Sequence, residues 1–181
     1  MDLPPRQFPD WVSVHTIVFD FDGVFTNNKV WVDQNGIESV RCDRGDGLGL
    51  DLLRIFIKKK NWAVKYFILS KEKNPVVSVR AEKIQVPCVQ SISSKAEYLE
   101  NYLDENNLNA EGLVFVANDL NDLAAMRVAG FSVTPSDAHP LILDEADLIL
   151  SQRGGDGFVR AFIELLIGLQ TMSADEVSEL F

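Results

Sequence analysis

The chain is poor in the residues that build disulfide scaffolds and transition-metal sites. Its 181 residues contain 2 Cys and 2 His. Cys42 and Cys88 show no CxxC or other metal spacing and read as unconnected thiols of a reducing compartment, which argues against a disulfide-stapled domain and a zinc cluster alike. Positive charge is also scarce: 17 Lys and Arg stand against 27 Asp and Glu, a formal net charge of -10. That balance offers no general face to nucleic acid, which needs clustered cations. Long apolar runs are missing too. The longest, "FVRAFIELLIGL", is too short and too charged to cross a bilayer, and the opening "MDLPPRQFPDW" lacks the basic and apolar regions of a signal peptide. The expected location is cytoplasmic, with neither membrane nor nucleic acid as a partner.

What is present is an ordinary hydrophobic fraction of 46%, enough for one domain over 1–181. Apolar runs of strand length at 16–19, 63–69, 113–117, 131–133 and 148–150 alternate with helix-period segments at 48–60, 75–83, 95–106, 123–128 and 158–170. This alternation predicts an α/β fold: a parallel sheet with helices on both faces. One segment departs from it. "KVWVDQNGIESVR", 29–41, reads as two extended arms about Asn35-Gly36, an inserted β-hairpin after the first strand. The tail, 169–181, is polar with scattered apolar residues and is either frayed or docked on a neighbouring subunit.

In such a sheet ligands bind at the carboxyl ends of the strands. Chemistry-bearing residues fall there repeatedly. Asp20 and Asp22 follow "TIVF", Ser70 follows "YFIL", Asn118, Asp119 and Asp122 follow "LVFVA", and Lys95 opens a helix after "VQSISS". Like charges about 4 Å apart repel by about 4 kcal/mol at an effective dielectric near 20, so gathered carboxylates call for a cation. Hard oxygen ligands without a His/Cys cluster favour Mg²⁺ over Zn²⁺. In isolation "DFDG" would read as an acidic turn, and the spaced Glu and flanking helices of an EF-hand are absent.

The four sets, in order, resemble the motifs of the haloacid dehalogenase-like (HAD) phosphohydrolase superfamily: "DFDGVFT", Ser70 in "FILSKEKN", Lys95 in "SSKAEYL" and "ANDLND". The resemblance spans 16–168. It implies a HAD-like Rossmannoid sheet and a Mg²⁺-dependent phosphatase working through an aspartyl phosphate. Asp20 is the expected nucleophile and Asp22 the general acid/base. Ser70 and Lys95 are expected to hold the phosphoryl group, with Asp20, Asp22, Asn118 and Asp119 around the metal. Predicted elements fill the intervals between motifs and leave no room for a separate cap domain.

The hairpin, "RGDGLGL" (44–50), "DAHPL" (137–141) and "RGGDG" (153–157) together resemble the ketodeoxyoctulosonate 8-phosphate phosphatase family of tetrameric enzymes, whose substrates are 2-keto-3-deoxy sugar acid phosphates. Within it, Glu72, Arg80 and Lys83 match the nonulosonate (sialic acid/KDN) 9-phosphate branch, which is therefore the expected substrate class. Arg44, Gly45, Asp46, Gly47, Glu72, Arg80 and Lys83 are the expected substrate-binding residues. The glycines of "RGDGLGL" and "RGGDG" resemble anion-binding nests, although short turns of this kind are usually structural. The alternatives are the octulosonate 8-phosphate phosphatase, and a weakly catalytic HAD-like oligomerisation module associated with a CMP-sialic acid synthetase. Two positions depart from the family pattern: Asn118 stands where a metal-binding Asp is usual, and Lys71 where a glycine is usual. The first predicts weak metal binding, since an amide oxygen brings no charge.

Overall fold

The computed structural model describes residues 7–180. Strand β1 (Thr16–Phe19) leads into a hairpin of β2 (Thr26–Val32) and β3 (Glu38–Cys42), then helix α1 (Arg44–Lys60) and β4 (Lys65–Leu69). There follow α2 (Val76–Lys83), β5 (Cys88–Val89), α3 (Lys95–Asn106), β6 (Leu113–Val116), α4 (Leu123–Val128) and β7 (Phe131–Pro135). The chain closes with α5 (Pro140–Glu145), β8 (Leu148–Leu150), α6 (Phe158–Leu166) and α7 (Ala174–Ser178).

Six strands form one sheet in the order β5-β4-β1-β6-β7-β8, parallel at every pairing. The α/β reading of the sequence therefore holds. Both faces are covered, and the strand period of two divides the core: Ile17 and Phe19 join Val114 and Val116 under α1 and α6, whereas Val18 joins Leu113 and Phe115 under α3 and α4. A strand buried on both faces must be apolar throughout, which is why "TIVF" reads as an unbroken run. The chain builds from β1 outward to β5, then returns through α3 to β6 on the other side of β1. That reversal opens a crevice at the carboxyl end of β1, where Asp20 and Asp22 lie.

Several boundaries differ from those expected. Helix α1 begins at Arg44 rather than at 48, so the glycine-rich stretch is helix and not loop. Asp43 caps it by accepting from Gly45 N at 2.5 Å. Gly49 is needed because a Cβ there would lie 2.7 Å from Arg160 Cα, so its absence lets α1 and α6 approach closely. Helix α6 ends at Leu166, short of 170, as the chain turns through Gly168 at φ 70. The short elements β5, α5 and α7 carry too few periodic residues to be read beforehand. The tail through residue 180 folds back on its own chain: Ser173 and Glu176 form a capping box on α7, and Lys59 Nζ donates to Glu179 O at 3.1 Å. Phe181 lies outside the described residues. Among the described residues, no helix is long and apolar enough to cross a membrane.

Candidate active site

The carboxyl edge of β1, β4 and β6 brings the first, second and fourth motifs together. A cleft of about 160 Å³ is lined by Asp20, Asp22, Ser70, Glu72, Asn118 and Asp119, together with Asn28, Lys71 and Asn121. Beneath it lies Lys95, whose side chain is 0% exposed and whose Nζ stands 2.5 Å from both Asp20 Oδ1 and Asp122 Oδ1. Ser94 caps α3 just before it, accepting from Glu97 N at 3.2 Å, and so fixes the first turn from which the lysine projects.

Charges buried this deeply are tolerated only as a paired set. Burial and the neighbouring Asp122 charge push the Asp20 carboxyl up to about 8, against the pull of Lys95. Burial alone would lower Lys95, but Asp20 and Asp122 outweigh it and hold the ammonium above its ordinary value. Asp22 is also raised, by burial first and then by Glu72. It is thus a carboxyl that keeps its proton to higher pH than a solvated one.

Asp122 does more than cap a helix. Besides meeting Lys95, its Oδ2 accepts from Asn118 N at 3.2 Å and Asp119 N at 3.4 Å, tying the fourth-motif loop to the lysine. Asp119 lines the cleft while its Oδ1 accepts from Leu120 N at 2.7 Å. His139 orders a loop, as a residue beside Pro140 would: its N donates to Asn118 O at 2.9 Å and its Nδ1 accepts from Leu141 N. Ser70 is 2% exposed, and its Oγ accepts from Glu72 N at 3.0 Å, leaving the hydroxyl proton to donate.

A divalent cation in this cleft would have to be held by a mixed set of donors. Among the described residues no group of three or more His, Cys, Asp or Glu could hold one by itself. The donor set is instead mixed. Asn118 is 5% exposed, and its Oδ1 is buried without a hydrogen-bond partner. The amide packs against Gly23, where a Cβ would fall 1.9 Å from Asn118 Nδ2. An orphaned amide oxygen beside two carboxylates is a donor set suited to a hard cation. Asp20, Asp22 and Asn118 fit Mg²⁺.

Other expected residues lie elsewhere. Gly45 and Asp46 are not in the cleft: Asp46 is 1% exposed, and its Oδ1 accepts from Arg160 N at 3.0 Å at the start of α6. Burial pushes its carboxyl up to about 6 despite that N–H. Arg44, Gly47, Arg80 and Lys83 line a separate cavity of about 420 Å³ outside α1 and α2. Glu72 does reach the cleft, but its Oε1 turns back to accept from Lys73 N at 2.6 Å and Asn74 N at 2.8 Å. The "RGGDG" loop latches the first motif instead of forming an anion nest: Gly155 N donates to Val24 O at 3.1 Å, and Gly154 N to Asp137 Oδ1 at 2.9 Å. Asn28 and Asn121 were not foreseen as lining residues. A signal existed for Asn28, since Asn is enriched at positive φ and it adopts φ 56 beside the acidic turn.

No family model matches the chain. The structure of a HAD family hydrolase from Streptomyces avermitilis shares 32% identity over 91% of this chain and 97% of that one, with a TM-score of 0.81. The 3-deoxy-D-manno-octulosonate 8-phosphate phosphatase KdsC of Salmonella typhimurium is 28% identical over 166 residues, 91% of this chain and 85% of that protein. The same fold, at a TM-score of 0.80 and 22% identity over 94% of this chain and 95% of that one, is seen in the Moraxella catarrhalis 3-deoxy-D-manno-octulosonate 8-phosphate phosphatase in complex with magnesium, phosphate and KDO. With its motifs converging on one cleft and a HAD hydrolase 32% identical over nearly its whole length, the chain belongs to the HAD superfamily, and within it is similar to the KdsC-type phosphatases.

Proposed function

We infer that the chain is a Mg²⁺-dependent phosphomonoesterase of sugar acid phosphates and that its substrate is 3-deoxy-D-manno-octulosonate 8-phosphate. The observation that carries the chemistry is the convergence of Asp20, Asp22, Ser70 and Asn118 on one cleft above the buried Lys95. Asp20 attacks phosphorus and forms an aspartyl phosphate. Asp22, whose carboxyl holds its proton to raised pH, donates it to the departing alkoxide and then takes one from the hydrolytic water. Ser70 donates its hydroxyl proton to a phosphoryl oxygen. Lys95 and Asp122 keep Asp20 and the fourth-motif loop in place. Asp20, Asp22 and Asn118 would hold Mg²⁺, with Asp119 contributing negative charge at the rim; when bound, the ion supplies the positive charge that keeps Asp20 ionised and screens the phosphate.

The substrate choice rests on the relatives and on where the specificity residues lie. The octulosonate phosphatase of Salmonella matches 91% of this chain. The nonulosonate reading rested on Glu72, Arg80 and Lys83. Within one chain Glu72 is turned into its own loop, and the other two line a different cavity. The eight-carbon substrate is therefore preferred over the nine-carbon one. We further propose a homotetramer, because Val30, Trp31, Val32 and Ile37 of the hairpin region are 56% to 63% exposed and a lone two-stranded hairpin is marginal. A second copy covering them would also help close the cleft.

An activity panel of eight- and nine-carbon keto acid phosphates, with Mg²⁺ and with chelator, tests this. The expected result is metal-dependent release of phosphate, fastest from the eight-carbon compound, and loss of turnover by about 10³-fold or more in Asp20→Asn. Faster turnover of the nine-carbon compound would return the substrate assignment to the nonulosonates. Absence of turnover would leave the oligomerisation module, and a pull-down with a CMP-sialic acid synthetase would then be the next measurement.

A further inference from the structure

The cleft has little positive charge to offer a phosphate. Its lining residues include the carboxylates of Asp20, Asp22, Glu72 and Asp119, and its lining cation is Lys71. Lys95 belongs to the layer below. Its ammonium is fully buried and already 2.5 Å from the carboxylates of Asp20 and Asp122, so its charge is committed to holding them. Two of its three N–H donors are thereby engaged, so from beneath the cleft it has at most one to offer a substrate oxygen.

The geometry points to Lys71 as the cationic anchor of the anionic substrate, a binding role distinct from that of Lys95. This inference rests on the phosphatase reading and adds a residue to it. Lys71 is exposed, and among the described residues no ion pair or hydrogen bond engages its ammonium. Its backbone is nonetheless fixed. Ser70 N donates to Val89 O at 2.9 Å, Glu72 N to Ser70 Oγ at 3.0 Å, and the Glu72 carboxylate is occupied by Lys73 N and Asn74 N. A held loop therefore presents a free ammonium at the cleft mouth, next to the hydroxyl that meets the phosphoryl group. Asn118 makes the assignment sharper. Its unpartnered Oδ1 supplies an oxygen without charge, so the negative charge that holds the cation has to come from the carboxylates around it. A site whose metal is more weakly held gains more from a protein-borne cation facing the same anion.

The test uses the full-length protein with Mg²⁺ present and inorganic phosphate as ligand, measured by calorimetry in wild type, Lys71→Met and Lys71→Arg. Loss of one charged contact to phosphate predicts a dissociation constant weakened about 10- to 100-fold in Lys71→Met, with a flatter salt dependence. Lys71→Arg keeps the charge and should stay within about fivefold of wild type. Since the side chain has no partner to lose, Lys71→Met should melt with the wild type. Equal phosphate affinity in wild type and Lys71→Met, or no binding by wild type at millimolar phosphate, would overturn the assignment. Failure of the phosphatase reading shows up separately, as absence of turnover in the substrate panel, whereas phosphate affinity reports on Lys71 alone.

Discussion

Beneath the cleft, Lys95 and Asp122 have no exposed side-chain surface and each meets an opposite charge; on the hairpin, Trp31 is 56% exposed and Ile37 63%. The two regions stand a short way apart along the chain, since β2 begins six residues after Asp20, yet they are held by different means. The first is complete within one chain: its charges are paired, its loop amides are capped by Asp122, and apolar strands hold it from both faces. The second packs Val40 and Cys42 on the core at its base, and is further tied where Glu38 accepts from Asn74 Nδ2 at 2.9 Å and Arg41 donates to Asp156 at 2.5 Å. The charged cluster is therefore satisfied within one chain, while the hairpin leaves large apolar side chains exposed.

Removing the buried cation is the most direct way to break that contrast. Lys95→Met leaves Asp20 and Asp122 buried without their counter-charge and should cost about 3–5 kcal/mol of stability in urea unfolding. A loss below about 1 kcal/mol would mean that the floor is not held by its ion pairs. Next in size is Asp46, which couples α1 to α6. Its folded carboxyl, raised from 3.8 to about 6, binds more protons than the unfolded one between those values. Stability from this group is thus full below pH 4 and is lost as pH rises through 6, by about 3 kcal/mol. Asp46→Asn should flatten that slope and raise the melting temperature at neutral pH. An unchanged pH profile would place the charged form comfortably in the native state.

Smaller effects probe the rim. Asn118→Asp adds a charge to the oxygen donors and should tighten Mg²⁺ binding about tenfold by calorimetry; an unchanged constant would remove Asn118 from the metal site. Trp31→Ser should alter protomer stability by less than about 0.5 kcal/mol, as exposed substitutions do, while shifting sedimentation to a smaller species. Unchanged sedimentation would show that the hairpin does not join subunits.

What could be read from the sequence tracks the same division. Asp20, Asp22, Ser70 and Asn118 were legible because each lies within three residues of the end of an apolar strand, and strand ends in a parallel sheet share one edge. Lys95 was legible from its motif and helix start, but its burial was not. Nothing local to "SSKAEYL" shows that two carboxylates from distant loops close over the ammonium. The glycines at 45, 47 and 49 misled in the opposite way, since their spacing mimics a phosphate loop. Only the tertiary approach of Arg160 shows why a helix would carry Gly49. Arg80 and Lys83 fit one helix face as expected, but which cavity that face meets depends on α1, 30 or so residues earlier in the chain.

The hydrogen bond from Gly155 to Val24 has a bearing on how the enzyme is made. The turn that carries Asp20 is translated well before Gly155, whose emergence supplies its latch. Nascent chains halted before that point can stack the first strands yet have nothing to clasp the acidic turn, so hydrolytic competence should arrive late and abruptly during synthesis.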